Sequence, residues 1–293
     1  MQVALQLLPA TITGILYALR THHLAGTPRA VPGWRRACFL GGLCLIVVTL
    51  TSMGSLSGEL FWAHMVEHLV IGDLGTLLLV LGLTGPVLAP VLRIGLFDRL
   101  RVLAHPLVAF PLWALDLYLW HIPFFHEAAV RHDVVHALQH FAFVAFGFNM
   151  WMALLGPLPK PLWFGNLARL AYVIAVRLTG AILGNVFVFG GHVFFDVYAA
   201  GERAHGISAG ADQNAAGAIM MVEGSILTLA LFGWLFARAA SEGEERQELL
   251  DLAAARGVAL TEARAARAVS AGRGAELRRR IESAPHAREE VIP

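Results

Sequence analysis

Seven apolar runs dominate the chain, at about residues 3–20, 37–53, 64–92, 107–124, 134–156, 169–190 and 214–238. A helix rises 1.5 Å per residue, so about 20 apolar residues cross roughly 30 Å of hydrocarbon. No soluble fold has use for so many runs of that length. The third run is long enough to tilt or to break near Gly82, Gly85 and Pro86. Only 15% of residues are charged, against about 25% in an ordinary soluble domain.

The bases then set the orientation. Arg20, Arg29, Arg35 and Arg36 lie between runs one and two, and the next connection has none. Arg93, Arg99 and Arg101 follow, then a connection with Arg131 alone. Lys160 and Arg169 come next, then a connection with Arg203 alone, and Arg238 opens the tail. Basic connections face the cytoplasm, and seven spans keep the alternation unbroken. The sequence therefore predicts an all-α integral membrane protein. It would be a bundle of seven transmembrane helices over 1–238, with the N-terminus outside and the C-terminus cytoplasmic.

Residues 239–293 differ in kind, with ten acids and nine arginines. They read as a cytoplasmic tail of short helices, with Thr261, Glu262 and Arg264 opening one and Gly257 and Gly272 ending others. A thin apolar face (Leu249, Leu250, Leu252, Val258, Leu260, Val269, Leu277, Ile281) makes it a solvated tail or a docking surface. The first twenty residues lack a basic n-region and a cleavage site, so they are expected to stay as a helix. Cys38 and Cys44 match no redox or zinc spacing and read as small buried hydrophobes. A net charge of +1 with no basic stripe gives no reason to expect nucleic acid.

On this topology nine of thirteen histidines fall at the outer ends of the spans: His64, His68, His121, His126, His132, His136, His140, His192 and His205. His22, His23, His105 and His286 fall inside. Two H-x-x-x-H pairs stand out, His64 with His68 and His136 with His140. Residues i and i+4 share a helix face about 6 Å apart, so each pair can chelate a metal. His121 closes the fourth span at the same depth. These five are the candidate metal ligands, with Met65, Met220 and Met221 as candidate additional ligands. His22, His23, His105, His205 and His286, and with them His126 and His132, read as interfacial polar residues, and packing is the plainer role for the methionines. Imidazole suits several metals and thioether favours Cu(I). Thiols oxidise outside the cytoplasm, so an outward His/Met set without cysteine favours copper, with zinc or a bis-histidine haem as alternatives.

A deeper polar layer comprises Asp73, Asp116, Asn149, Arg177, Asn185 and Glu223. Asp73 and Asp116 each lie five residues inward of a candidate ligand, about 7 Å deeper. Intramembrane ionisable groups usually face the bundle interior, paired. They would either orient the histidines, or carry protons, or fix helix packing by pairing acids with Arg177.

Three stretches carry a family resemblance. LYLWHIPFFHEAAVRHDVVHALQHFAF (117–143) holds Leu-Trp-His-x-Pro and then His-x-x-x-His; AHMVEHL (63–69) holds His-Met-x-x-His; DQNAAGAIMMVEG (212–224) holds Asp-Gln-x-x-Ala-Gly-x-x-Met. Together they resemble the CtaG-type cytochrome c oxidase assembly factors of the caa-three branch, over about residues 35–238. The resemblance implies a multi-pass bacterial plasma-membrane protein, embedded in the lipid bilayer, that matures a haem-copper oxidase and acts on its copper centre. An oxidase subunit, a copper chaperone or both would be partners. Asp73 follows the first histidine pair where the family carries an apolar stretch, and Glu223 with Gly224 stands where it often has Pro-Gly.

The leading expectation is thus an assembly factor rather than an enzyme, taking copper through His64, His68, His121, His136 and His140. The competing readings are an intramembrane zinc hydrolase, with Glu67, Asp73 or Asp116 helping to activate a metal-bound water, and a transporter or electron carrier. No inverted repeat of the kind many transporters show is visible in the sequence.

Overall fold

The computed structural model describes residues 2–161, 163–270 and 272–284; His286 lies outside them. All its elements are helical among these residues. They are α1 (Gln2–Leu24), α2 (Gly33–Ser52), α3 (Gly54–Glu59), α4 (Phe61–Leu69), a π-helical turn (Val70–Gly75) and α5 (Thr76–Gly82). Then come α6 (Gly85–Leu92), α7 (Gly95–Leu100), a 3-10 turn (Arg101–Ala104), α8 (Pro106–Trp120), α9 (Pro123–Arg131), α10 (Asp133–Leu154) and α11 (Asn166–Phe189). A 3-10 turn (Asp196–Tyr198), α12 (Ala199–His205), α13 (Ala209–Ala255), α14 (Glu262–Ser270) and α15 (Gly274–Ser283) complete the chain.

Five helices are long and apolar enough to cross a membrane: Gly33–Ser52, Phe61–Gly82, Asp133–Leu154, Asn166–Phe189 and Ala209–Ala255. A sixth span arises if Gly95–Ala104 and Pro106–Trp120, bent by 79°, count as one. The surface is inverted relative to a soluble protein. Leu138, Phe141, Leu167, Phe189, Ile226 and Leu229 are exposed, while His64, Glu67, His68 and Thr76 are buried. That distribution fits hydrocarbon as the solvent. The protein is a multi-pass membrane protein.

Two apolar runs differ in detail from their expected form. The fourth becomes a helix of 15 residues, about 22 Å long and short of a full bilayer. Proline sets both limits: Pro106 takes the first turn after an extended His105, and Pro123 opens α9 after His121 has left the helix. The third run breaks as expected, at extended Leu83 and Thr84, and resumes with Pro86 in the first turn of α6. The seventh helix continues unbroken for 47 residues rather than ending near 238. Residues 239–255 are mostly good helix formers, and Arg238–Glu242 and Gln247–Asp251 add i, i+4 pairs at 2.7 and 2.9 Å.

By its contacts the chain divides into two compact units, Met1–Thr228 and Leu229–Pro293. Within the second, Leu249, Ala253, Val269, Leu277 and Ile281 form a small buried core. Gly257 and Gly272 hold the left-handed conformation that ends its helices, with φ of 68° and 66°.

In the first unit α10 is central, packing on α8, α9, α5 and the π-helical turn. Its approach to the π turn is backbone on backbone, since a Cβ on Gly147 would meet the Gly72 carbonyl at 1.9 Å. The π turn widens the helix directly after His68 and loosens its carbonyl ladder. Side chains satisfy the freed groups: Thr76 donates to the Gly72 carbonyl at 2.7 Å, and Trp151 Nε1 donates to the Asp73 carbonyl at 3.1 Å.

Candidate metal centre

α4 carries His64 and His68 one turn apart, with ring centroids 4.2 Å from each other. α10 carries His136 and His140 in the same relation, at 4.1 Å. The two pairs face each other, His64 to His136 at 5.2 Å and His68 to His140 at 5.4 Å. Ligand atoms of His64, His68 and His136 all lie within 4.8 Å of one another, as do those of Glu67, His136 and His140. Glu67 Oε2 is 3.7 Å from His140 Nε2. Glu67 enters this centre although the i, i+4 pattern pointed only to histidines. Its place one residue before His68 was visible in the sequence, but its direction toward α10 was not.

Hydrogen bonding assigns ring atoms. His64 Nδ1 can only donate to the Ser57 carbonyl, 3.2 Å away, which leaves Nε2 with its lone pair. That is the arrangement by which a backbone carbonyl orients a ligand imidazole. His68 is buried, and neither ring nitrogen has a hydrogen-bond partner among the described residues. A buried polar group left this way costs about 1–3 kcal/mol.

His121 belongs to neither group. Its Nδ1 donates to the Leu117 carbonyl at 2.6 Å, and its Nε2 lies 3.3 Å from Met65 Sδ. His126 is fully buried, its ring 4.8 Å from that of His64. Its Nε2 meets the Tyr198 hydroxyl at 2.8 Å. Burial, then the neighbouring His64 and His121, push the His126 imidazole well below the ordinary histidine value. No spacing marked His126, because α9 and the Tyr198 turn bury it only once the chain has folded. Met220 packs into the aromatic core with Phe61, Trp120 and Phe187, and Met221 lies against Gly184 of α11.

The deeper polar residues separate into three settings. Arg177 donates to both Asp73 oxygens at 2.5 and 3.2 Å and approaches Glu223 at 3.7 Å. Trp151 Nε1 also donates to Asp73 Oδ1 at 2.9 Å, and its ring faces the guanidinium 5.1 Å away. Asp116 is buried on α8. Asn149 ties α10 to the Leu103 carbonyl at 2.8 Å, whereas exposed Asn185 only caps a turn of its own helix through the Ala181 carbonyl.

The residues Asp212 and Gln213 hold the centre's frame. α4 starts at Phe61 with Leu60 before it, a side chain that cannot cap. The Asp212 carboxylate reaches across from α13 and accepts from the Phe61 and Trp62 N–H groups, both at 2.8 Å. It thereby satisfies two of the free donors at the start of the histidine helix and complements its dipole. Gln213 accepts from Phe194 N–H at 2.9 Å and donates to the Phe187 and His192 carbonyls at 3.1 and 2.9 Å.

Residues 15–242 match the family model described as cytochrome c oxidase caa3 assembly factor (Caa3_CtaG). The match takes in every residue of the centre and of its frame. Comparison with curated proteins and with solved structures gave no match.

Proposed function

The chain belongs to the Caa3_CtaG family of cytochrome c oxidase caa3 assembly factors, and from that premise we propose that it carries copper to the oxidase. Copper is the cargo. His64, His68, His136 and His140 with Glu67 would hold it, and an oxidase subunit or a copper chaperone would exchange it. The observation that carries this reading is His68, whose two buried ring nitrogens have no hydrogen-bond partner among the described residues and which faces the histidine pair of α10. Neutral imidazole and carboxylate are ligand types for a first-row metal. The chain's own chemistry is binding and release, with no covalent step. In cells lacking this chain, the isolated oxidase is expected to keep its haem and to be depleted in copper. A full copper complement in that oxidase would overturn the reading.

The topology belongs to the same proposal. α1, a helix of 23 residues with Ile12, Ile15, Leu16 and Leu19 exposed, is the seventh span, added to the six counted with the bent pair. The membrane is the bacterial plasma membrane, with the N-terminus and the histidine centre at the outer side and the tail in the cytoplasm, as the arginine alternation requires. A reporter fused after Ala240 should be active only as a cytoplasmic fusion. Activity of a periplasmic reporter at that point would refute the orientation.

A further inference from the structure

In the second unit α14 turns back into α15 through Gly272, whose positive φ ends the first helix. Arg264, Arg267 and Ala268 stand at i, i+3 and i+4 of α14 and so share one helix face. Arg273 at the start of α15, with Glu276, Leu277 and Arg280, repeats that spacing. Together they line one groove of about 170 Å³. Val269, Leu277 and Ile281 lie in the small core of this unit, so packing fixes where the arginine-bearing faces point. Four guanidiniums thus share the groove with one carboxylate. That carboxylate, Glu276, pairs with Arg280. Among the described residues Arg264, Arg267 and Arg273 have no acidic partner. Outside the groove Arg238 pairs with Glu242, Arg246 with Glu262 and Arg278 with Glu248. Glu245 rests against Gly274 without pairing to any groove arginine. Acids are therefore present in this unit but are spent elsewhere.

We propose that the Arg264, Arg267, Arg273 and Arg280 groove binds a phosphate group, carried by an anionic phospholipid headgroup or by a soluble phosphate. Cations gathered on one groove repel one another, and an anion shared between them relieves that repulsion. Each guanidinium presents a planar fork that matches two phosphate oxygens. A tetrahedral phosphate has oxygens for more than one fork. A single carboxylate has two oxygens and one charge, and so serves fewer of the three unpaired arginines. In the orientation proposed for the tail the groove is cytoplasmic, on the side where the leaflet carries anionic headgroups. The site needs neither the histidine centre nor copper.

The test uses the full-length protein in non-ionic detergent at low salt, where exposed charges are least screened. Inorganic pyrophosphate is titrated by calorimetry, and phosphatidylglycerol retained per chain is counted by native mass spectrometry. Arg267 and Arg273 are exposed, so Arg267→Gln and Arg273→Gln should both fold. Each is expected to weaken pyrophosphate binding about tenfold, the loss of one charge-assisted hydrogen bond, or to retain one phosphatidylglycerol fewer. Arg279→Gln, an exposed arginine outside the groove, should change neither. A groove-dependent loss of pyrophosphate assigns the phosphate to solution. A groove-dependent loss of phosphatidylglycerol alone assigns it to the bilayer, and either result supports the site. A wild-type chain that holds neither probe, or variants that hold both as tightly as wild type, overturn it. Groove-dependent binding of a poly-glutamate peptide, with neither phosphate probe bound, would make the groove a protein-docking surface and overturn the proposal equally.

Discussion

Replacing His68 by alanine is expected to remove oxidase activity from the host while leaving the protein inserted at its normal level. His68 sits between its helix partner His64 and the facing His140, with ring distances of 4.2 and 5.4 Å. No hydrogen bond to either ring nitrogen would be lost. Loss of a group that only orients a metal ligand already costs about 10–100-fold in affinity or activity, so loss of the ligand itself should cost at least that much. The imidazole also packs on Phe143, ring centroids 4.5 Å apart, so the alanine leaves a small void. Thermal stability and membrane level of the variant separate that effect from metal loss. Oxidase activity within a few-fold of wild type, in a stably inserted His68→Ala protein, would contradict the role.

The second large effect concerns Arg177. Its side chain is 9% exposed, and it serves two acids at once, Asp73 and Glu223. Removing one partner of a buried ion pair strands the other charge, at a cost of about 3–5 kcal/mol. Arg177→Leu strands two carboxylates on neighbouring helices and removes the ring contact with Trp151. The variant should insert poorly or unfold at markedly lower temperature. Adding Asp73→Asn and Glu223→Gln should recover most of the loss, because the neutral amides need no counter-charge. If Arg177→Leu alone is as stable as wild type, the triad does not hold these helices together.

How much of this was legible before the fold was known depends on the reach of each signal. The apolar runs mark helices because a span's length is written into consecutive residues; five of them give helices long and apolar enough to cross a membrane, six with the bent pair. The π turn was not legible, since Val70–Gly75 satisfies any helical pattern; only the approach of Gly147 and the donors Thr76 and Trp151 show why the wider turn is tolerated. The i, i+4 pairs were readable because both members lie on one helix. What faces them was not. Asp73 and Arg177 are 104 residues apart, and nothing local in either segment indicates which acid the arginine takes. Glu67 entered the centre, and His126 came to lie beside it, only through tertiary burial. His121 was expected at the same depth as the other candidate ligands but turns to Met65 at the end of α8. Asp212 and Gln213 stood out only through the family resemblance; their roles, capping α4 and clamping the 187–194 connection, need the folded chain.

The most direct test is the metal content of the protein itself. The chain should be purified from copper-replete cells and compared with His68→Ala for copper, zinc and haem absorbance. Copper bound to the wild-type chain and reduced in His68→Ala is the expected result. A wild-type chain carrying zinc or haem in place of copper, or a His68→Ala chain with undiminished copper, would contradict the claim that this histidine centre carries copper for the oxidase.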